Sequence, residues 1–371
     1  MYELKKFIIH NLFGEDNYEI SFHDNRIILI SENGVGKTTI LNIMYAFLTS
    51  QWEKLIGIPF DFASVEFDFE GKEFEVSVEK KDFSIEFDVE FRKAYLEGFT
   101  YKDELEVILE KLNPENIINA INESREEDLI INTLKQINRE KDIDNHEIEE
   151  FELQVNQDII DSIKRKLPEL VKEICSNLFS DRYKKLSLIG KVFYLPTYRR
   201  IEVPLKTLFS EKPDIKKEEG SRYLSLFEFG MEDIKSLIRN QTDRGIEKIN
   251  EMIFSCNQYI KNGKELYYSE IEGNILVRKR NNELTLDVLS SGEKQLVSIF
   301  AYLYLKNEKF LVIFDEPELS YSLFWQKKIL IDISSIGSCT GLIAVTHSPY
   351  IVDNEYKKYL YSLEQLRRKD E

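Results

Sequence analysis

A segment of nine residues near the N-terminus, Ser31–Thr39, reads S-E-N-G-V-G-K-T-T. Glycines let a backbone approach a phosphate closely, a lysine can reach its terminal oxygens and a threonine hydroxyl can ligate Mg²⁺. Gly36, Lys37 and Thr38 match the end of the phosphate-loop pattern G-x-x-x-x-G-K-[ST], whereas Ser31 replaces its first glycine. These residues predict a site for the phosphates of a nucleotide.

Three later segments place polar residues beside apolar runs. Leu289–Gln295 reads L-S-S-G-E-K-Q and opens an apolar helix, the apolar run Phe310–Phe314 ends in Asp-Glu, and the apolar run Gly341–Val345 ends in Thr-His. Each has a structural explanation when taken alone: a helix N-cap, a solvated loop and a structural histidine. Their succession behind a phosphate loop argues against coincidence.

The elements that position these residues follow from hydrophobic spacing. Arg26–Ile30 is a β-branched run typical of a buried parallel strand, and Lys37–Leu48 has apolar residues at helical spacing. Tyr2–Phe22 predicts two strands around a turn, and Ala63–Phe91 predicts a three-stranded antiparallel meander. Lys191–Leu195 returns to strand. The phosphate-binding segment is therefore a strand-to-helix turn.

The middle of the chain has a different character. Residues 95–179 are charged, poor in glycine and helical in spacing, without sustained heptads, which predicts an inserted helical lobe. Residues 101–180 alone contain 10 basic and 20 acidic side chains. Further on, Asp233–Asn262 predicts one or two helices and Glu265–Asp287 a hairpin with two turns.

Composition limits the class of protein. A chain of 371 residues can bury a large core, and no apolar run approaches the ~18 residues of a membrane span. Met1–Asn11 has no apolar signal region, and three widely spaced cysteines argue against a disulfide framework or a zinc site. We therefore expect a cytoplasmic protein without a membrane partner. A net charge of −17 opposes nonspecific DNA binding.

In these segments the chain resembles the ATP-binding-cassette (ABC) class of ATPases, and within it the SMC-, RecF- and OLD-like branch. In that resemblance Ser31–Thr39 is the Walker A motif, Leu289–Gln295 the signature motif and Ile313–Glu316 the end of the Walker B motif. Glu318–Ser322 takes the place of the D-loop, and His347 that of the switch histidine. The implied fold is α/β: an ABC-type P-loop ATPase head with a mixed sheet and an antiparallel β-subdomain, plus an inserted helical lobe.

The resemblance also implies the limits of the domains. Residues 1–94 would form the N-terminal part of the ATPase head, with the Walker A motif and the meander. Residues 95–185 would form the helical lobe. Residues 186–371 would complete the head with the signature motif, the Walker B motif and the switch histidine.

The implied reaction is phosphoryl transfer from ATP to water, with ATP and Mg²⁺ as cofactors. The implied catalytic residues are Glu316, His347 and Lys37, and the implied Mg²⁺ ligands are Thr38 and Asp315. The implied nucleotide contacts lie in two segments: Asn33, Gly34, Val35, Gly36, Lys37, Thr38 and Thr39 in the first, and Ser290, Ser291, Gly292 and Glu293 in the second. In this class the second segment faces the ATP of another subunit, which implies a homodimer or a higher homo-oligomer.

The resemblance further indicates a biological role. The stretches N-L-F-G at 11–14 and Y-L-P-T-Y-R-R-I-E at 194–202 are similar to stand-alone ATPases of bacterial anti-phage defence systems of the Septu, retron-associated or PARIS type. Only 24 residues follow His347, too few for the nuclease domain that OLD proteins carry there. We therefore expect a separate effector protein, a nuclease, that the ATPase scaffolds or controls.

Three alternatives stay open at this point. A DNA-repair ATPase that clamps duplex DNA requires a basic track, for which Arg278–Arg280, Lys184–Lys185 and Arg367–Lys369 are the candidates. A transporter ATPase is disfavoured because no Q-loop glutamine can be placed and because the helical insertion is large. A scaffold that binds ATP without turnover is disfavoured by the intact lysine and carboxylates of the two Walker motifs.

Overall fold

The computed structural model describes residues 2–31, 36–83, 178–195, 223–225 and 243–368, together with positions 172, 175, 176 and 238. The strands of this part are β1 (Tyr2–Leu12), β2 (Asp16–Ser21), β3 (Arg26–Ile30), β4 (Phe62–Phe69), β5 (Lys72–Glu79), β6 (Lys191–Leu195), β7 (Tyr223–Ser225), β8 (Lys264–Ser269), β9 (Asn274–Lys279), β10 (Asn282–Leu284), β11 (Phe310–Asp315), β12 (Cys339–Thr346), β13 (Leu360–Ser362) and β14 (Arg367–Arg368). The helices are α1 (Lys37–Leu48), α2 (Glu53–Ile56), α3 (Ser180–Leu186), α4 (Asp243–Asn257), α5 (Ser291–Leu305), α6 (Leu323–Ser335) and α7 (Leu363–Leu366). Short 3₁₀ helices occupy Lys80–Phe83, Ser187–Ile189, Leu286–Val288, Pro317–Ser320, Pro349–Val352 and Glu355–Tyr359.

A six-stranded sheet with the order β13-β3-β12-β11-β6-β7 lies at the centre, and each of its pairings is parallel. β11 is buried at every position, as expected for an apolar strand covered on both faces. Successive side chains of a strand point to opposite faces. Leu311 and Ile313 accordingly join one core with α1, whereas Val312 and Phe314 join a second core with α5 and α6. The sheet is a layer between two hydrophobic cores.

A second sheet is antiparallel and has the order β14-β2-β1-β4-β5. It shares the first core with α1, where the rings of Phe7 and Phe47 pack edge to face at 5.4 Å. The two strands expected in Tyr2–Phe22 are present, and so are the first two strands of the expected meander. Its third strand, at residues 84–91, lies outside the described residues.

A third sheet, with the order β10-β9-β8, precedes α5 in the chain. It contains the two turns expected between Glu265 and Asp287, so the predicted hairpin is a three-stranded antiparallel unit. The long helix α4 contacts both α5 and β8 and thereby joins this unit to the second core.

The α/β fold with parallel and antiparallel strands is confirmed, and the two strand directions occupy separate sheets. Most of the inserted helical lobe, residues 95–185, lies outside the described residues, so the division at residues 94 and 185 stays a prediction. No helix within the described part of the chain is long and apolar enough to cross a membrane.

Candidate active site

Three neighbouring strands of the central sheet end at the same edge. β3, β12 and β11 lie side by side in parallel, and the register places Ile30 beside Thr346 and Asp315 beside Val345. Lys37 and the other described residues of the predicted phosphate-binding segment, the Asp-Glu pair and the histidine follow these three strand ends, so the fold brings them together. Ligands of open α/β sheets bind at the carboxyl ends of the strands.

Lys37 opens α1, and its side chain turns back into the loop before the helix. Its Nζ donates hydrogen bonds to the backbone O and to Oγ of Ser31, both at 2.7 Å. Burial lowers the pKa of Lys37, against the opposing effect of the carboxylates of Glu364, Glu316 and Glu318. Ser31, which replaces the first glycine of the motif, therefore binds the amine of Lys37 near the carboxylates of Glu316 and Glu318.

The N-terminus of α1 is suited to an anion. Gly36 precedes the helix with a φ of 83°, a conformation that favours glycine, and no acidic side chain stands in the first turn. Thr38 and Thr39 lie in that turn and are half-buried. Asn33, Gly34 and Val35 lie outside the described residues, so their nucleotide contacts stay predictions.

The Asp-Glu pair sits where β11 ends. Asp315 is its last residue and is 1% exposed. Glu316 follows in the left-handed conformation with a φ of 48°, and its N–H donates to the backbone O of Val345 at 2.8 Å. Its Oε1 lies 3.4 Å from Nε2 of His347, and both side chains are partly exposed. Backbone strain of this kind concentrates at functional sites.

A further carboxylate binds the end of β12 and the residue that follows it. Glu318 accepts a hydrogen bond from the backbone N–H of His347 at 2.6 Å and another from Oγ1 of Thr346 at 2.7 Å. The Thr346 hydroxyl in turn accepts from the N–H of Ser348 at 2.9 Å. The backbone that carries the candidate switch histidine is thus bound to the segment that follows the Asp-Glu pair.

The signature segment forms a second cluster, at the N-terminus of α5. Ser290 and Glu293 make a capping box, in which the N–H of Ser290 donates to Oε2 of Glu293 at 2.7 Å. Nζ of Lys264, from β8, donates to the same oxygen at 2.5 Å. Burial alone would raise the pKa of Glu293. The hydrogen bonds from Lys264 and Ser290 stabilise the ionised carboxylate more strongly, so the pKa of Glu293 is lowered. Ser291 is exposed and Gly292 is partly exposed.

The predicted residues therefore fall into two groups. Lys37, Thr38, Asp315, Glu316 and His347 converge at the edge of the central sheet. In the signature segment, the side chains of Ser290 and Glu293 bind each other's backbone N–H groups, which is the structural role that S-S-G-E allows by itself. Nucleotide contacts from this segment stay a prediction.

Sequence reasoning missed the roles of three side chains. Ser31 counted only as a departure from the motif, yet it binds the motif lysine. The sequence D-E-P-E offered a local signal for Glu318, because it contains a third carboxylate. Glu318 was assigned to the D-loop, without a role of its own. Lys264 binds Glu293 across 29 positions of sequence, and no local pattern marks it.

The model of a protein family described as "AAA domain, putative AbiEii toxin, Type IV TA system" matches residues 29–353. No curated protein gives a significant match. Among solved structures, the chain is similar to the SMC head domain from Thermotoga maritima, with 13% identity, a TM-score of 0.40, and 97% of this chain and 94% of that chain covered. It is also similar to the SMC head domain from Pyrococcus furiosus with an extended coiled coil, bound to the C-terminal domain of ScpA, with 13% identity, a TM-score of 0.38, and 98% and 93% covered.

Proposed function

We propose that this chain, which belongs to the AAA-domain family whose model spans residues 29–353, hydrolyses ATP with Mg²⁺, dimerises through ATP and controls a separate effector in bacterial anti-phage defence. The observation that carries the ATPase part is the meeting of Lys37, Asp315, Glu316 and His347 at one edge of the central sheet. Phosphoryl transfer requires mainly positioning and charge stabilisation, which these groups supply.

Lys37 and the N-terminus of α1 would bind the phosphates. The amine exchanges the two oxygens of Ser31 for phosphate oxygens, whose charge makes stronger hydrogen bonds. The N–H groups of the first turn point in the same direction and favour an anion. Burial of Lys37 strengthens this attraction, because little water screens it.

Thr38 and Asp315 fit the requirements of Mg²⁺. A hydroxyl and a carboxylate are oxygen donors, and Mg²⁺ in nucleotide sites typically takes one or two protein ligands together with phosphates and water. The ion supplies charge neutralisation at the phosphates.

Glu316 and His347 are placed to act on water and on the terminal phosphate. The Glu316 carboxylate is partly exposed, so a water molecule can reach it, and a carboxylate there can orient that water or accept its proton. His347 lies within 3.4 Å of the same carboxylate and can donate to a phosphate oxygen from the neighbouring strand. Glu316 would thus act on the attacking water and His347 on the terminal phosphate.

Dimerisation through ATP is supported by the surface around the site. Ser291 and Gly292 present the N-terminus of the 15-residue helix α5 to solvent, where the phosphates of a second copy's ATP could bind. Leu319, Leu323 and Phe324 are exposed by 38%, 55% and 56%, directly after the Walker B strand, and offer apolar contact area. In a symmetric dimer, each copy would contribute its α5 N-terminus and its exposed apolar side chains to the interface.

Control of an effector is supported by the family description, which names a toxin and a toxin–antitoxin system and so points to a second component. The acidic segment 101–180 suits a protein partner better than DNA. A nuclease is the effector that the resemblance to defence ATPases implies. Slow hydrolysis would serve such a complex as a switch.

The DNA-clamp alternative is weakened by how the candidate basic residues are placed. Arg278 lies over the ring of Tyr267 and 4.0 Å from Glu265. Arg367 and Arg368 form ion pairs with carboxylates of β2. These charges are partly neutralised within the chain, which lowers the counterion release that drives DNA binding.

Copurification tests the proposal. The tagged chain is purified from its native operon with ATP and Mg²⁺, and the mass and composition of the particle are measured for the wild type, Glu316→Gln and Lys37→Ala. We expect an assembly of at least two copies with a second protein, most stable in Glu316→Gln and lost in Lys37→Ala. A monomeric Glu316→Gln chain with bound ATP would contradict ATP-driven dimerisation, and a lone dimer that retains duplex DNA would contradict the effector role.

A further inference from the structure

A ring of hydrogen bonds joins two segments at the edge of the central sheet. The carboxylate of Glu318 accepts from the N–H of His347 at 2.6 Å and from the hydroxyl of Thr346 at 2.7 Å. Thr346 is fully buried, and its oxygen also accepts from the N–H of Ser348 at 2.9 Å. The Glu318 carboxylate thereby holds Thr346 and His347 directly, and Ser348 through the Thr346 hydroxyl.

Gln326, from α6, closes the ring. Its Oε1 accepts from Oγ of Ser348 at 2.6 Å, and its Nε2 donates to the backbone O of Glu318 at 3.2 Å and of Tyr321 at 3.0 Å. The side chain is 7% exposed, so water competes little for these bonds. Segments 318–321 and 346–348 are therefore tied together from both sides.

We propose that Glu318 is a positioning residue, which with Gln326 behind it holds His347 against Glu316 and makes the switch histidine follow any movement of residues 318–322. This rests on the proposed function, since it assigns the regulation of the same site. A hydrogen bond from an N–H to a carboxylate is charge-assisted and stronger than a neutral one. The bond fixes the backbone of His347, whose Nε2 lies 3.4 Å from Oε1 of Glu316.

The position of this ring suggests what moves it. Leu319 lies between the two ring residues Glu318 and Tyr321 and is 38% exposed, and Leu323 and Phe324 follow directly with more than half of their surface exposed. A second copy of the chain that packs on these apolar side chains would bear on the segment that contains Glu318. Because Glu318 holds His347, assembly would be transmitted to the catalytic edge without a long-range conformational change.

A double-mutant cycle tests the inference. Turnover and nucleotide affinity are measured for Glu318→Ala, His347→Ala and the double variant. We expect Glu318→Ala to lower kcat about 10- to 100-fold while nucleotide affinity stays unchanged, because a misplaced group costs rate in this range. In the His347→Ala background the same change should cost nothing further. Equal losses in both backgrounds would mean that Glu318 acts only on the stability of the fold and would overturn the inference.

Two variants calibrate the effect. Glu318→Gln keeps an oxygen that can accept from His347 but loses the charge, so its kcat should lie between those of the wild type and Glu318→Ala. Glu308→Ala is the matched control. Glu308 also forms an ion pair, with Lys191 at 2.6 Å, but it precedes the N-terminal end of β11, at the edge of the sheet away from the site. It should turn over ATP at the wild-type rate, and a loss as large as that of Glu318→Ala would count against a specific role.

A measurement that needs no hydrolysis separates this inference from the proposed function. The chain has four histidines, so [¹⁵N]histidine labelling gives four backbone amide signals, and that of His347 is identified by its loss in His347→Ala. We expect Glu318→Ala, but not Glu308→Ala, to move this signal upfield. An unmoved signal would overturn the inference even if ATP is hydrolysed. If the wild type hydrolyses no ATP, the proposed activity fails, while this signal still decides whether Glu318 positions His347.

Discussion

Lys37 is the single residue on which nucleotide binding should depend most. Replacing it with alanine removes the cation that we propose faces the phosphates, and charge-assisted hydrogen bonds of this kind contribute about 2–3 kcal/mol. We expect ATP affinity, measured by titration with a fluorescent analogue, to fall accordingly. Lys309→Ala is the matched control, because its Nζ also binds a backbone carbonyl, that of Gly337, at the other end of the sheet. Equal affinities in the two variants would contradict the assignment.

That these residues meet at one edge could be predicted, because each follows an apolar strand in the sequence. The motif residues from Lys37 to Thr39, the pair Asp315-Glu316 and His347 need only the knowledge that parallel strands end together. Glu318 and Gln326 could not be predicted in the same way. Their hydrogen bonds depend on how two loops and a helix pack, and no local spacing encodes that.

At the scale of elements, the start of α5 depends on an ion pair with β8. We predict that Lys264→Met lowers the free energy of unfolding by about 2 kcal/mol at neutral pH, because it removes the charged partner of the buried Glu293 carboxylate, which keeps the hydrogen bond from the N–H of Ser290. Urea unfolding measures this difference. Lys191→Met, which breaks the more exposed pair with Glu308, should cost about 1 kcal/mol or less. Equal costs would show that burial of the first pair has no effect.

The same pair has a defined pH dependence. Glu293 has a lowered pKa in the folded chain, so its contribution to stability is present above the pKa of the unfolded state and is lost as the pH falls through the folded pKa. The difference in unfolding free energy between the wild type and Lys264→Met should therefore still be large at about pH 5 and shrink as the pH falls below about 4.3, the ordinary pKa of an unfolded glutamate. A difference that grows in acid would contradict this sign.

The longer elements were predictable and the shortest were not. The helix predicted at Lys37–Leu48 occupies those residues, and the strands predicted at Phe310–Phe314 and Gly341–Val345 are present with extensions of one or two residues. The strands β13 and β14 have three and two residues, too few to show a period. Their pairing with β3 and β2 is set by contacts with residues far away in the chain.

At the scale of the whole molecule, the central sheet separates the two functional segments. Helix α1, with the predicted phosphate-binding lysine, belongs to the core on one face, and α5, with the predicted signature segment, belongs to the core on the other. In the proposed dimer, each copy would hold one nucleotide at the edge of this sheet and offer the α5 segment to the other copy. Hydrolysis would then depend on assembly, in agreement with the proposed role of Glu318.

Phosphate release from ATP, compared between the wild type and Glu316→Gln, tests this most directly. The substitution keeps the shape of the side chain and removes the carboxylate that we propose orients or deprotonates water. We predict that the wild type turns over ATP at least about 100-fold faster than the variant, while both bind ATP with the same affinity. Equal rates of phosphate release, or none from the wild type with ATP bound, would contradict an ATPase centred on Glu316.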